Sequence, residues 1–211
     1  MSMTKARRTR TTAAAVAPRT RGQMSAETIE QLVRSARLRF AQSGYAATPM
    51  DALCAEAGLT RGALYHHFGG KDGLLEAVVC QIDSEITAEV EAAFGRSTDP
   101  WIGLQAGLSV YLSQALKPEI QQILIRDAPA ALGHRLRALD KVSVITPLTQ
   151  ALAELIKIGR IHPADPEALA RLLNGALDEA AVWISESASP KATLKKAQAA
   201  FTVLLGSLSA R

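Results

Sequence analysis

Thr60, Arg61, Tyr65, His66 and Lys71 fall within twelve residues, and all carry groups that donate to anions. An arginine such as Arg61 can meet guanine O6 and N7 through two parallel bonds. Tyr65 and His66 can donate to phosphate oxygens, and Lys71 adds a point charge. Gly62 and Ala63 are small, so a helix start that carries them can lie close to a groove floor. Each residue has an ordinary alternative. Tyr65 can be a half-buried core aromatic, His66 and His67 surface imidazoles, and Lys71 a solvated charge. Adjacent histidines do not share a helix face, which argues against a metal pair. As an ordered set, these residues point to duplex nucleic acid.

Other chemistries find less support. The histidines are His66, His67, His134 and His162, and none lies in an HExxH, GxSxG or glycine-rich phosphate pattern. No nucleophile stands beside a base, so no catalytic residue is assigned and an all-helical enzyme is disfavoured. Cys54 and Cys80 lie in apolar segments without CxxC spacing and read as two buried thiols. No metal and no cofactor are expected. No apolar run reaches the roughly 18 residues of a membrane span, and the basic start lacks a signal-like apolar stretch. A cytoplasmic protein without membrane contact is therefore expected. Residues 1–75 hold eleven basic and five acidic side chains, whereas 76–211 hold thirteen and fifteen. That asymmetry suggests that one end meets a polyanion.

The elements around the donor set follow from local rules. Ile29, Leu32, Val33, Ala36 and Phe40 form one stripe of a helix capped by Ser25 and ended by Gly44. Thr48 is expected to cap a short helix with Pro49 at its first position and Asp51 three residues after the cap. That helix buries Met50, Leu53 and Ala57, and Gly58 supplies the turn. Thr60 caps the next helix, whose Leu64 and Phe68 point to the core. Two short helices around a glycine turn make a helix-turn-helix. The remaining chain predicts helices near 71–94, 100–116, 119–126, 135–158, 165–187 and 190–208, an all-α fold. Gly95, Pro118, Pro129, Gly159, Pro166 and Pro190 are among its breaks. Residues 1–24 read as a basic disordered tail, able to follow a phosphate backbone or merely to solubilise.

The run GLTRGALYHHF, followed by Lys71 and Leu74–Leu75, resembles the DNA-binding domain of the TetR/AcrR regulators from Ile29 to Leu75. The resemblance implies a three-helix DNA-binding domain over 25–75 and a helical effector-binding and dimerisation domain over 76–211. It implies that Thr60, Arg61, Gly62, Ala63, Tyr65 and His66 face DNA, with Thr48 and Lys71 on phosphates. Arg39 departs from the family pattern, which places an apolar residue there; Leu38 is expected to take over part of that packing. The segment 127–187 resembles a TetR-like ligand-binding domain that dimerises through its last two helices.

Leu169, Leu173, Leu177, Ala180 and Ile184 form one stripe, and Phe201, Leu204, Leu205 and Leu208 another. Both are expected at a two-fold dimer interface, the alternative being packing within their own domain. Trp101, Leu104, Leu108, Tyr111, Leu124, Ile125, His134, Glu179 and Trp183 are the candidates for an effector pocket, or else ordinary core residues. The expected function is repression at a palindromic operator, relieved by a small, largely apolar effector. Co-repression is physically equivalent. An effector-independent architectural DNA-binding protein is the alternative.

Overall fold

The computed structural model describes residues 21–210, with side chains from Thr28 onward. The expected basic tail lies outside the described residues as far as residue 20. Residues 21–24 already belong to helix α1, Arg21–Ser43, so Ser25 stands inside that helix rather than at its cap. There follow α2 (Met50–Glu56), α3 (Arg61–Phe68), α4 (Lys71–Phe94), α5 (Pro100–Gln114), α6 (118–132), α7 (134–157), α8 (Pro166–Glu186) and α9 (Pro190–Gly206). Ile161 pairs with Ser209 in a short antiparallel clip that ties the chain end to the α7–α8 loop.

Two cores organise these helices. In the first, Leu32, Ala36 and Phe40 of α1 meet Leu53, Leu64, Leu74, Leu75, Val78 and Val79, all with no exposed surface. The stripe expected on α1 is therefore its buried face. Ile120, Ile123, Ala128 and Leu132 of α6 join the same cluster. The second core gathers Trp101, Leu104, Leu108 and Leu112 of α5 with Leu152, Leu155, Leu173, Leu177, Ile184 and Phe201. Helix α4 packs extensively along α5 and runs from the first core towards the second.

One proline does not break the chain where expected, although Pro118, Pro166 and Pro190 each open a helix. Pro129 lies within α6, which continues to Gly133 at φ +52°. Residues Gln121–Asp127 of α6 and Lys141–Ile145 of α7 are wound as π-helix, each stretch ending two residues before a proline. A proline ring clashes with the carbonyl four residues back, here in the wide turn, and the looser winding moves that carbonyl aside. Leu38 does not compensate for Arg39. Leu38 is exposed, because it lies off the 32–36–40 stripe, while Arg39 reaches Glu56 of α2 as an ion pair. Cys54 is buried as expected, but Cys80 is exposed on α4.

Two glycines are required by packing, Gly73 and Gly103, the second because a Cβ would stand 2.7 Å from the Phe94 carbonyl oxygen. A Cβ on Gly73, in the first turn of α4, would stand 1.7 Å from the Phe68 carbonyl oxygen at the end of α3. Backbone cannot yield cheaply there. Gly73→Ala should therefore force α3 and α4 apart and lower the melting temperature by about 2–4 °C or more. Gly206→Ala, with nothing within 4 Å of the new Cβ, should leave it unchanged. Thermal denaturation of both variants checks this.

Candidate nucleic-acid interface and ligand cavities

The donor set is carried by α3, an eight-residue helix held between two left-handed glycines, Gly58 at φ +64° and Gly69 at φ +72°. Thr60 caps it, its hydroxyl accepting from the Ala63 N–H at 3.2 Å. Leu64 is wholly buried, and Phe68 packs against the same core. The opposite side presents Thr60, Arg61, Gly62, Tyr65 and His66 to solvent, with Ala63 half-buried. Six of the eight residues expected to face DNA therefore share one accessible side at the leading part of α3. The exposed Tyr65 ring lies over Gly70, 3.3 Å from where a Cβ would sit, so a side chain there would displace it.

Two contacts were not visible in the sequence. Arg61 Nε is 2.8 Å from Asp51 Oδ1 of α2, so the guanidinium is held by an exposed ion pair. Lys71 Nζ lies 4.3 Å above the Tyr45 ring and 3.4 Å from the Ala46 carbonyl. Partial burial pushes the Lys71 ammonium below its usual range. The expected role of Thr48 is overturned. Thr48 is buried, and its hydroxyl donates to the Gly44 carbonyl at 2.8 Å. The residue before α2 is Pro49, without a side-chain cap. The Thr48 side chain therefore shapes the α1–α2 turn and has no surface to offer a phosphate.

Two cavities open between the helices that follow. One, of about 280 Å³, is almost wholly apolar and lies among α4, α5 and α7, lined by residues including Val90, Phe94, Leu104, Leu108, Pro147 and Leu148. The other, of about 340 Å³, is lined from α5, α6 and α7 by Tyr111, Leu124, Ile125 and Leu136, with Asp83, Asp140 and Asp178. Asp83, Ile86, Tyr111 and Val144 form a wall common to both. Burial, with the Asp140 charge nearby, pushes the Asp83 carboxyl up to about 6. Asp178 keeps solvent access in the single chain, yet the crowding of the wall and the Asp140 charge push it up to about 6. Burial also raises Asp140. Tyr111 is held far above the usual phenol range by burial and by these same carboxylates.

The family described as bacterial regulatory proteins of the tetR family matches residues 32–78, and a tetracyclin repressor-like C-terminal domain matches 101–208. The chain belongs to the TetR family of transcriptional regulators. This TetR-family chain is 32% identical over 155 residues to the transposon Tn10 TetC protein of Escherichia coli, spanning 70% of this chain and 75% of TetC. A TetR-family transcriptional regulator from Pectobacterium atrosepticum has a TM-score of 0.76 at 44% identity, over 92% of this chain and 99% of that one. RolR, solved with resorcinol, shares the fold at 18% identity and a TM-score of 0.70, over 88% and 91% of the two chains. Proteins of this family are DNA-binding transcription factors rather than enzymes.

In this TetR-family regulator the expected pocket residues divide. Leu104, Leu108, Tyr111, Leu124 and Ile125 line the cavities. Trp101 does not; it is buried in the second core. His134, Glu179 and Trp183 are exposed and line neither cavity. The carboxylates escaped sequence reading, although one signal was present: Asp83 interrupts the apolar stripe Val79–Ile86–Val90 on α4. The residues expected at the interface divide as well. Leu173, Leu177, Ile184, Phe201 and Leu205 are buried in their own core, while Leu169, Ala180 and Leu208 pack against it. Leu204 alone of that set is exposed.

A carboxyl raised on folding binds more protons in the folded state, so its ionisation costs stability as pH rises from the ordinary carboxylate value through about 6. Asp83→Asn removes that cost. The substitution should raise the melting temperature by about 2–4 °C near pH 7.5, with the gain shrinking towards about pH 4. Melting curves of both proteins across that range test the sign.

Proposed function

We propose that this regulator is a ligand-released repressor that binds a palindromic operator as a two-fold dimer. The observation that carries it is α3. Its back, at Leu64, is locked into the first core, while Arg61, Gly62, Tyr65 and His66 are exposed at its leading part. A helix presented this way fits a major groove, and its unpaired N–H groups favour phosphate. Arg61 must exchange Asp51 for a base or phosphate, an exposed-pair exchange that costs little. Operator DNA would place this work in the cytoplasm.

The dimer surface follows from what α8 and α9 leave uncovered. Leu172, Gly175 and Trp183 share one outward face of α8, and Ala200, Val203 and Leu204 share one of α9. Leu172 and Val203 are 73% and 75% exposed, an unfavourable position for large aliphatics unless a second copy covers them. The small residues between them allow close helix approach. Such a pairing presents two α3 helices about 34–36 Å apart, one per successive groove.

Helix α6 supports coupling between ligand and DNA. Its Leu124, Ile125 and Pro129 line the second cavity. Its Asp127 accepts from the Tyr45 N–H at 2.8 Å, and its Glu119 pairs with Arg37 of α1 at 2.6 Å. Arg37 also holds Glu85 of α4 at 2.6 Å, and these two partners push its guanidinium further up. A ligand that moves α6 therefore pulls on the turn leading into α2. It shifts the balance only if it binds the displaced arrangement better. The RolR structure with resorcinol supports a small organic ligand for this architecture.

Genomic fragments enriched by the purified protein identify the operator. On that operator Arg61→Ala should cost about 1–3 kcal/mol and relax one base position. Lys71→Ala should weaken operator and scrambled DNA alike, reducing the salt slope by about one unit. Salt-series anisotropy measures both, and an enriched-fragment search without any recurring palindrome would sink the repressor reading. Val203→Glu should convert the protein to monomer in sedimentation and weaken operator binding by about tenfold or more, since burying an unpaired carboxylate opposes pairing.

A further inference from the structure

The two cavities differ in polarity in a way that restricts what can fill them. The first is walled by Ile86, Val90, Phe94, Leu104, Leu108 and Leu148, and its charged edge residues are Asp83 and Glu91. The second holds Asp83 from α4, Asp140 from α7 and Asp178 from α8 around the Tyr111 hydroxyl of α5. Helix α6 contributes only apolar lining to it. The single basic group in either wall is Arg137, which is exposed. The internal hydrogen-bond partners of Asp83 and Asp178 are neutral. Ser143 donates to Asp83 at 3.4 Å, Asn174 donates to Asp178 at 3.0 Å, and Tyr111 hydrogen-bonds Asp178. Gln114, 4% exposed and in the same wall, keeps Oε1 without a hydrogen-bond partner, an independent sign of an acceptor awaiting a donor. Its amide orientation is set, because Nε2 donates to Glu89 at 2.8 Å.

Three carboxylates and an unpaired acceptor beside an apolar chamber form a poor site for a neutral or anionic ligand. Desolvating charges is costly unless an opposite charge joins them. The Tyr111 ring, shared by both cavities, adds an aromatic surface of the kind that attracts organic cations. Among the described residues these aspartates do not form a group able to hold a metal ion. A bulky organic cation satisfies both chambers at once.

We propose that the effector is an amphiphilic organic cation whose charged group sits among Asp83, Asp140, Asp178 and Tyr111 and whose apolar body fills the α4–α5–α7 cavity. This rests on the reading of the cavities as the effector site. A bound cation favours the ionised carboxylates, so its affinity rises as pH climbs through the range where Asp83 and Asp178 lose their protons. Protonation below that range leaves the ligand facing neutral acids and the exposed Arg137.

The test uses the full chain and three probes of equal tail length, octyltrimethylammonium, octanol and nonanoate, with binding read by calorimetry. Octyltrimethylammonium should bind about tenfold or more tighter than the other two near pH 7.5. Its affinity should fall by about tenfold towards pH 5, while octanol binding stays level. In the double variant Asp83→Asn/Asp178→Asn the preference for cation over alcohol should drop to about twofold. The native pH profile decides the matter should that variant not fold. Octanol or nonanoate binding as tightly as the cation, a flat pH profile, or no saturable cation binding would each overturn the proposal. Anisotropy of enriched operator DNA in the same samples separates the two readings. DNA release by a neutral probe overturns the cation alone, whereas cation binding without any DNA binding overturns the repressor.

Discussion

The burial of one leucine governs the reading head of this protein. Isolated helices shorter than about 12 residues are marginal in water, and α3 has eight. Its stability must come from tertiary contact, chiefly the burial of Leu64 in the first core, which is worth about 1.5–3 kcal/mol. The Thr60 cap and the two left-handed glycines set where the helix starts and stops, but they do not set its direction. The direction comes from the close meeting of Phe68 with Gly73, where the α3 end and the α4 start touch backbone to backbone. The exposed donors on α3 are thus aimed by packing on its buried side and at its C-terminal end.

The same economy links the two ends of the molecule. Helix α6 is a member of both halves: Ile120, Ile123, Ala128 and Leu132 pack with the DNA-binding helices, while Leu124, Ile125 and Pro129 line a cavity. Its seven-residue wide-wound stretch keeps the helix continuous into Pro129. That stretch also ends at Asp127, which holds the Tyr45 N–H. A division of the chain near residue 75 therefore describes the order of helices better than it describes the cores. The paired links at Arg37 and Tyr45 are polar and partly exposed, so they are the kind of contact a modest displacement can exchange.

The cavities carry groups that cost the fold stability. Replacing Asp83 by a neutral residue relieves a desolvated carboxylate, yet Asp83 stands in the common wall of both chambers. Apolar surface at Leu172, Trp183 and Val203 has the same character, being costly for a lone subunit and useful for a pair.

The sequence by itself determined the features that depend on neighbours a few residues away. The α1 stripe, the Thr60 cap, the Gly58 turn and the span of α4 were legible because helical period and capping are local. The donors Arg61, Tyr65 and His66 were legible for the same reason. Tertiary structure decided which face of α8 and α9 each stripe serves. Leu177 and Phe201 turned inward because α5 and α7 cover them, leaving Leu172 and Val203 outside. It also decided that Thr48 would be buried by the turn it closes, and that Asp83, Asp140 and Asp178 would face one cavity from three helices. Those outcomes depend on how distant helices cross, and a local pattern of residues carries no information about the crossing.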